Sequence, residues 1–119
     1  GDPEAMYTRY AVYASAGRRA EAAAALAELL RAAPDYAPAL LELARSAAAA
    51  GKTEEAEGLY RRLLAGNPNN AEAMNDYGVL LARRGDSAGA GEMFGRALSL
   101  SPGMASARRN LERLQALKK

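Results

Sequence analysis

Residues 71–104 read AEAMNDYGVLLARRGDSAGAGEMFGRALSLSPGM. Met74, Tyr77, Gly78 and Leu81 fall at helical spacing in the first half, and Ala90 and Phe94 do so in the second. Gly85 separates the halves and Pro102 closes the stretch. Working outward, the same marks return every 34 residues. Pro34, Pro68 and Pro102 form one series, and Gly17, Gly51 and Gly85 a second. Ala22, Ala56 and Ala90 form a third, and the bulky Leu26, Tyr60 and Phe94 a fourth. Even Glu4-Ala5-Met6 recurs as Glu72-Ala73-Met74.

Each period reads as two helices, A and B. Pro ends helix B because it lacks an N–H and clashes with the preceding turn. Gly makes the A–B turn, where a positive φ costs it nothing. The second unit shows the helical spacing most clearly: Leu40, Leu43, Ala44 and Ala47, then Ala56, Leu59, Tyr60, Leu63 and Leu64. Helices are therefore predicted near 4–16, 19–32, 37–50, 53–66, 71–84, 87–100 and 105–117, with no strand. Asp35 and Asn69 are the expected side-chain caps of the helices that follow them, and Thr53 the cap of the helix at 53–66. The final segment, 105–119, continues the phase for one helix. Ala107, Leu111, Leu114 and Leu117 form its expected apolar stripe, with Arg108, Arg109, Glu112, Arg113 and Lys119 turned elsewhere. That is the pattern of an end cap, one face buried and one wet.

The 119 residues suit one small domain. Half are apolar, mostly alanine, which favours closely packed helices over a thick core. With no His and no Cys, the chain has no Ser-His-Asp or Cys-His catalysis, no disulfide and no zinc site of ordinary ligands. A net charge of +2 sets up no field for nucleic acid or anionic membrane. No apolar run reaches the roughly 20 residues a membrane helix needs. The start at Gly1-Asp2-Pro3 shows no secretory leader and reads as a piece of something longer. The compartment stays open: the cytoplasm is favoured, and the periplasm follows if a leader was removed. Abundant Ala and Arg suggest a bacterial source.

This pattern resembles the tetratricopeptide repeat (TPR) family, W-x2-L-G-x2-Y, then A-x3-F, then P over 34 residues. In 71–104, Met74 stands at the Trp position, Tyr77-Gly78 at Leu-Gly and Leu81 at Tyr, followed by Ala90, Phe94 and Pro102. The unit 37–70 carries Leu40, Leu43, Ala44, Ala47, Ala56, Tyr60 and Pro68. The unit 3–36 carries Met6, Tyr13, Ala22, Leu26 and Pro34, but has Arg9-Tyr10 in place of Leu-Gly. The resemblance implies an all-α, right-handed solenoid of three helix-turn-helix units, 3–36, 37–70 and 71–104, with 105–119 as the capping helix. It implies a non-catalytic scaffold for protein–protein interaction, without cofactor or metal. A partner peptide or helix would lie in the concave groove lined by the A helices.

On that face the resemblance places Tyr7, Glu42, Arg45, Asn75, Asp76, Val79 and Arg83, and the end helix adds Arg109, Asn110 and Arg113. Chaperone-tail clamps of this family hold a carboxylate with Lys, Asn and Arg. Here those positions are Tyr7, Ala11, Glu42, Glu72 and Asp76, and their charge argues against such a clamp. The acidic middle should face a partner's basic residue, and the basic end an acidic one. Plainer readings account for the other candidates. Lys118 and Lys119 complement the negative end of their helix. Met6, Met74, Tyr10 and Tyr13 are core, leaving Tyr7 for contact. Glu54, Glu55 and Glu57 crowd the positive end of a helix rather than serve a reaction. Two further readings stand: self-association through exposed solenoid ends, and a regulatory arm of a larger enzyme.

Overall fold

Three left-handed glycines set the architecture. Gly17, Gly51 and Gly85 have φ of 76°, 80° and 90°. Each closes a helix with the same pair of backbone bonds. At the second turn, Gly51 N–H donates to the Ala48 carbonyl and Lys52 N–H to that of Ala47. The pairs Gly17–Ala14 with Arg18–Tyr13, and Gly85–Ala82 with Asp86–Leu81, repeat the arrangement. This is the Schellman closure, which satisfies the last carbonyls and reverses the chain.

The computed structural model describes residues 1–117. These form α1 (Pro3–Ser15), α2 (Arg19–Ala32), α3 (Ala37–Ala49), α4 (Thr53–Gly66), α5 (Ala71–Arg83), α6 (Ser87–Leu100) and α7 (Ala105–Leu117). There is no strand among the described residues, and each helix falls within a residue of expectation. The helices stack as antiparallel pairs, α1 on α2, α3 on α4 and α5 on α6, with α7 closing on α6 and α5. The solenoid measures 49 × 26 × 23 Å. None of its helices is long and apolar enough to cross a membrane.

The caps differ from expectation. Asn70, not Asn69, caps α5, its Oδ1 accepting from Ala73 N–H at 3.0 Å. The N-cap of α3 is Tyr36, which makes no side-chain cap bond, while Asp35 accepts from Arg62 instead. Thr53 is already inside α4, behind the uncapped Lys52. A cap works from a single position, and the turns end one residue later, or earlier, than the proline and glycine marks suggest. Asp2 and Asp86 do cap, for α1 and α6.

The main core runs through the middle and C-terminal pairs. Tyr60 and Phe94 are each only 2% exposed. Gly78 permits the α5–α6 approach, because a Cβ there would lie 2.5 Å from Phe94 Cε1. A second cluster joins Leu26, Leu29 and Ala39, with Met6, Tyr7, Tyr10 and Tyr36 packed against it. Met74 is fully buried as expected, but Met6, Tyr10 and Tyr13 are only half-buried and α1 has no buried residue. An end helix packs on one side, so its core positions stay partly wet.

The capping helix buries Ala107 and Leu114, with Leu111 half-buried. Leu117 is 83% exposed and leaves the expected stripe. Leu100, at the end of α6, is exposed, whereas Met93 on the same helix is half-buried. One period after Met74, Gly78 and Leu81 stand Arg108, Glu112 and Gln115, all exposed. The face that meets a partner helix in α5 is thus polar in α7. Lys118 and Lys119, expected to complement the end of this helix, lie outside the described residues.

Candidate functional site

Helices α1, α3, α5 and α7 occupy equivalent places in the stack and line a continuous trough. Near its N-terminal end a depression of about 200 Å³ is lined by Tyr7, Pro38, Leu41, Glu42, Arg45 and Glu72. The next, about 250 Å³, is lined by Arg45, Asp76, Val79 and Arg83, with Tyr60 in its wall. The third, about 240 Å³, is lined by Val79, Arg83, Phe94, Asn110, Arg113 and Leu117. Arg45 belongs to the first two depressions, and Val79 and Arg83 to the last two. Of the ten residues named from the sequence, eight therefore line these depressions, and Asn75 and Arg109 do not.

Arg45 is the hub of the middle. Its Nε donates to Asp76 Oδ2 at 2.7 Å, one terminal nitrogen to Glu72 Oε2 at 2.8 Å, and the other to Glu42 Oε1 at 3.4 Å. Burial disfavours the guanidinium charge, but hydrogen bonds to Glu72 and Asp76 outweigh it and raise the Arg45 pKa. Burial also pushes the Asp76 carboxyl above its ordinary range, against the pull of Arg45. Three carboxylates around one guanidinium leave the middle acidic. Arg45 of α3 is the one base that Glu42 and Asp76 already meet among the described residues.

At the N-terminal end, Tyr7 lies between two other rings. Its centroid is 5.6 Å from that of Tyr10 and 6.0 Å from that of Tyr36. The Tyr10 hydroxyl reaches toward Glu42 at 3.5 Å. Burial, then the nearby Glu42 charge, raises the pKa of both Tyr7 and Tyr10. Tyr36 had no signal in the sequence, since it sits in the turn after Pro34 and outside every helical stripe.

At the C-terminal end Asn75 is 7% exposed and faces inward. It accepts from Asn110 Nδ2 at 3.0 Å and donates to Ser106 Oγ at 3.4 Å. These bonds tie α5 to α7, so Asn75 positions the end helix. Arg83, Arg109 and Arg113 are exposed and make no ion pair among the described residues. The trough therefore runs from an aromatic and acidic end to a basic one.

Glu57 has a role the sequence did not reveal. It accepts from the Tyr77 hydroxyl at 2.9 Å and pairs with Arg61 at 3.2 Å and with Arg84. The Tyr77 bond is the main cause that holds its carboxyl below the usual range. Among the described residues no cluster of acidic side chains could hold a metal ion.

The chain matches the family profile of the cilia and flagella-associated protein 70 middle TPR-like domain over residues 40–114. It matches a tetratricopeptide repeat profile over residues 11–65. No curated protein matches it by sequence. Among solved structures, the first TPR of Spaghetti (RPAP3) bound to HSP90 peptide SRMEEVD is 20% identical, with a TM-score of 0.83 over 98% of this chain and 94% of that one. The Yersinia enterocolitica type III secretion chaperone SycD, in complex with a peptide of the translocator YopD, is 16% identical with a TM-score of 0.80, over 98% of this chain and 94% of that one. A tetratricopeptide repeat protein from Parabacteroides merdae is 22% identical with a TM-score of 0.80, over 97% of this chain but 46% of that one. At such identities the likeness is one of fold.

Proposed function

The chain belongs to the tetratricopeptide repeat family, and from that membership we propose that it is a non-catalytic scaffold holding a segment of a partner protein in its trough. The units we assign are 3–36, 37–70 and 71–104, with 105–119 as cap. The observation that carries the reading is the sidedness of the trough. Arg83 and Arg113 line one end without internal ion pairs, while Glu42, Glu72 and Asp76 outnumber Arg45 in the middle. Val79 and Ala82 lie among the arginines, small enough for a backbone or helix to approach closely. A bound segment would place acidic residues at the α7 end and run in one direction. Two of the structural relatives above hold peptides, which agrees with this use of the fold.

The test is capture of partners from the native organism, identified by mass spectrometry, followed by titration of the captured partner. Arg113→Glu or Arg83→Glu should weaken binding at least tenfold with an unchanged circular dichroism spectrum, the scale expected when a charge across an interface is reversed. Glu92→Lys, on the exposed face of α6, should leave it unchanged. The reverse result would put the partner on the convex face and end this reading.

Self-association is the second reading, favoured by two exposed apolar residues at opposite ends. Val12 is 61% exposed on α1 and Leu117 83% on α7. A mass by light scattering that rises with concentration, and falls back with Val12→Ser, would support it.

A further inference from the structure

The first junction between helix pairs keeps open a space that the second junction fills with rings. A cavity of about 420 Å³ lies between α1, α2 and α3. Its walls include Tyr10, Leu26, Leu30 and Leu43, with Arg19 and Ser46 at its polar edge. One period later, Leu26 and Leu43 become Tyr60 and Tyr77, whose rings stack with centroids 5.7 Å apart and planes 20° apart. Ser46 becomes Leu80, and Ala23 and Ala27 become Glu57 and Arg61, which bond the Tyr77 hydroxyl. Two periods after Leu26, Phe94 covers Gly78. Tyr10 does not take up the vacant volume. Its ring pairs with Tyr7 and its hydroxyl reaches Glu42, both on the trough side.

We propose that this cavity is a binding site, separate from the trough, for a small aryl carboxylate. Two observations set the ligand class. The register supplies the shape, since the equivalent volume at the second junction is occupied by two stacked aromatic rings. The charge comes from Arg19 in the first turn of α2. It is exposed and makes no ion pair among the described residues, whereas its neighbour Arg18 is engaged with Glu21 at 3.4 Å. The ring enters between Leu26, Leu30 and Leu43, and the carboxylate stays at the mouth on the guanidinium, a charge-assisted contact. The volume falls within the range of small-molecule pockets, which are apolar with a few placed polar groups.

The experiment titrates the full chain with indole-3-propionate and with its neutral amide, followed by amide chemical shifts. Saturable shifts should map to α2 and the middle of α3, with a Kd in the millimolar range or tighter, as a ligand of this size allows. The amide should bind about tenfold more weakly, and Arg19→Gln should bring the acid to the amide's level. The double variant Leu26→Tyr/Leu43→Tyr installs the ring pair of the second junction and should abolish binding while raising the melting temperature. Should that variant fail to fold, Ser46→Leu, which installs the side chain of Leu80, should abolish binding on its own. Absence of saturable shifts, shifts confined to the trough, or binding that survives filling would each overturn the proposal. A stability gain on filling without ring binding would reduce the cavity to a packing fault. Binding of a peptide with an aromatic side chain, but of neither free probe, would assign it to a partner's side chain instead.

Discussion

Helices α1 and α5 carry the same Glu-Ala-Met triplet at the same point in their turn, yet Met74 is fully buried and Met6 is only half-buried. Helix α5 buries seven residues and α1 none. The difference lies partly in place. Helix α5 is packed by α4, α6 and α7, whereas α1 packs mainly on α2. It also lies in how bulk is shared between the two helices of a pair. The α5–α6 pair puts its ring on the second helix, Phe94, and leaves Gly78 opposite. The first pair has the reverse, Tyr10 on α1 and Leu26 on α2. A ring opposed to glycine interlocks, while Tyr10 leans away toward Tyr7 and leaves a cavity. A solenoid of equal periods is therefore unequal in stability, because each unit depends on its own packing and on its neighbours.

The largest expected effect tests that inequality directly. Phe94→Ala should cost about 4 kcal/mol and Leu26→Ala about 2 kcal/mol, since the first removes a buried ring and the second lies beside existing space. Urea unfolding measures both, and equal costs would break the comparison. Native-state hydrogen exchange sharpens it, with α1–α2 amides exchanging faster than α5–α6 amides.

Gly78→Ala should lose about 2 kcal/mol, because the added methyl meets Phe94 Cε1 at 2.5 Å and the buried ring must shift. Gly95, also helical but with nothing within 4 Å of its absent Cβ, is the control. Gly95→Ala should gain up to about 1 kcal/mol from helix propensity alone. Thermal unfolding of the two variants should move in opposite directions.

Glu57→Gln tests the α4–α5 seal that the first junction, α2–α3, lacks, where Ala23 stands instead. The Tyr77 hydrogen bond, with Arg84 and Arg61, holds the folded Glu57 carboxyl below its ordinary value of 4.5. A depressed carboxyl contributes stability above the unfolded value and loses it as pH falls through the folded one. The variant should therefore be less stable by about 1 kcal/mol at pH 7 and nearly equal to the parent near pH 2. A constant difference across that window would show that charge is not what holds this seal. Smallest of all, Arg18→Ala should change stability by less than about 0.5 kcal/mol, since its pair with Glu21 is more than half exposed on both sides.

Much of the candidate site was legible because helical position follows from the repeat phase. That phase put Glu42, Arg45, Asp76, Val79, Arg83, Asn110 and Arg113 on one side of the stack. It could not say which polar groups face each other across it. Asn75 and Asn110 are 35 residues apart in the chain, and their hydrogen bond depends on how far α7 rotates against α5. The same holds for Arg45, which reads as a free groove charge until Glu72 and Asp76 arrive from the next pair. Tyr36, in a turn, follows no periodicity at all.

By itself the sequence determined the number of helices, their bounds and the direction of every turn. Those features are local: proline withholds a donor, glycine accepts a positive φ, and apolar spacing selects a face within one helix. Only the tertiary structure decided how well each pair closes. It sent Glu57 to seal α4 against α5, turned Asn75 inward, and left a cavity beneath Tyr10. Those outcomes depend on side chains from helices 16 to 35 residues apart meeting at ångström tolerance. Close packing, unlike helix formation, is settled by all the neighbours at once.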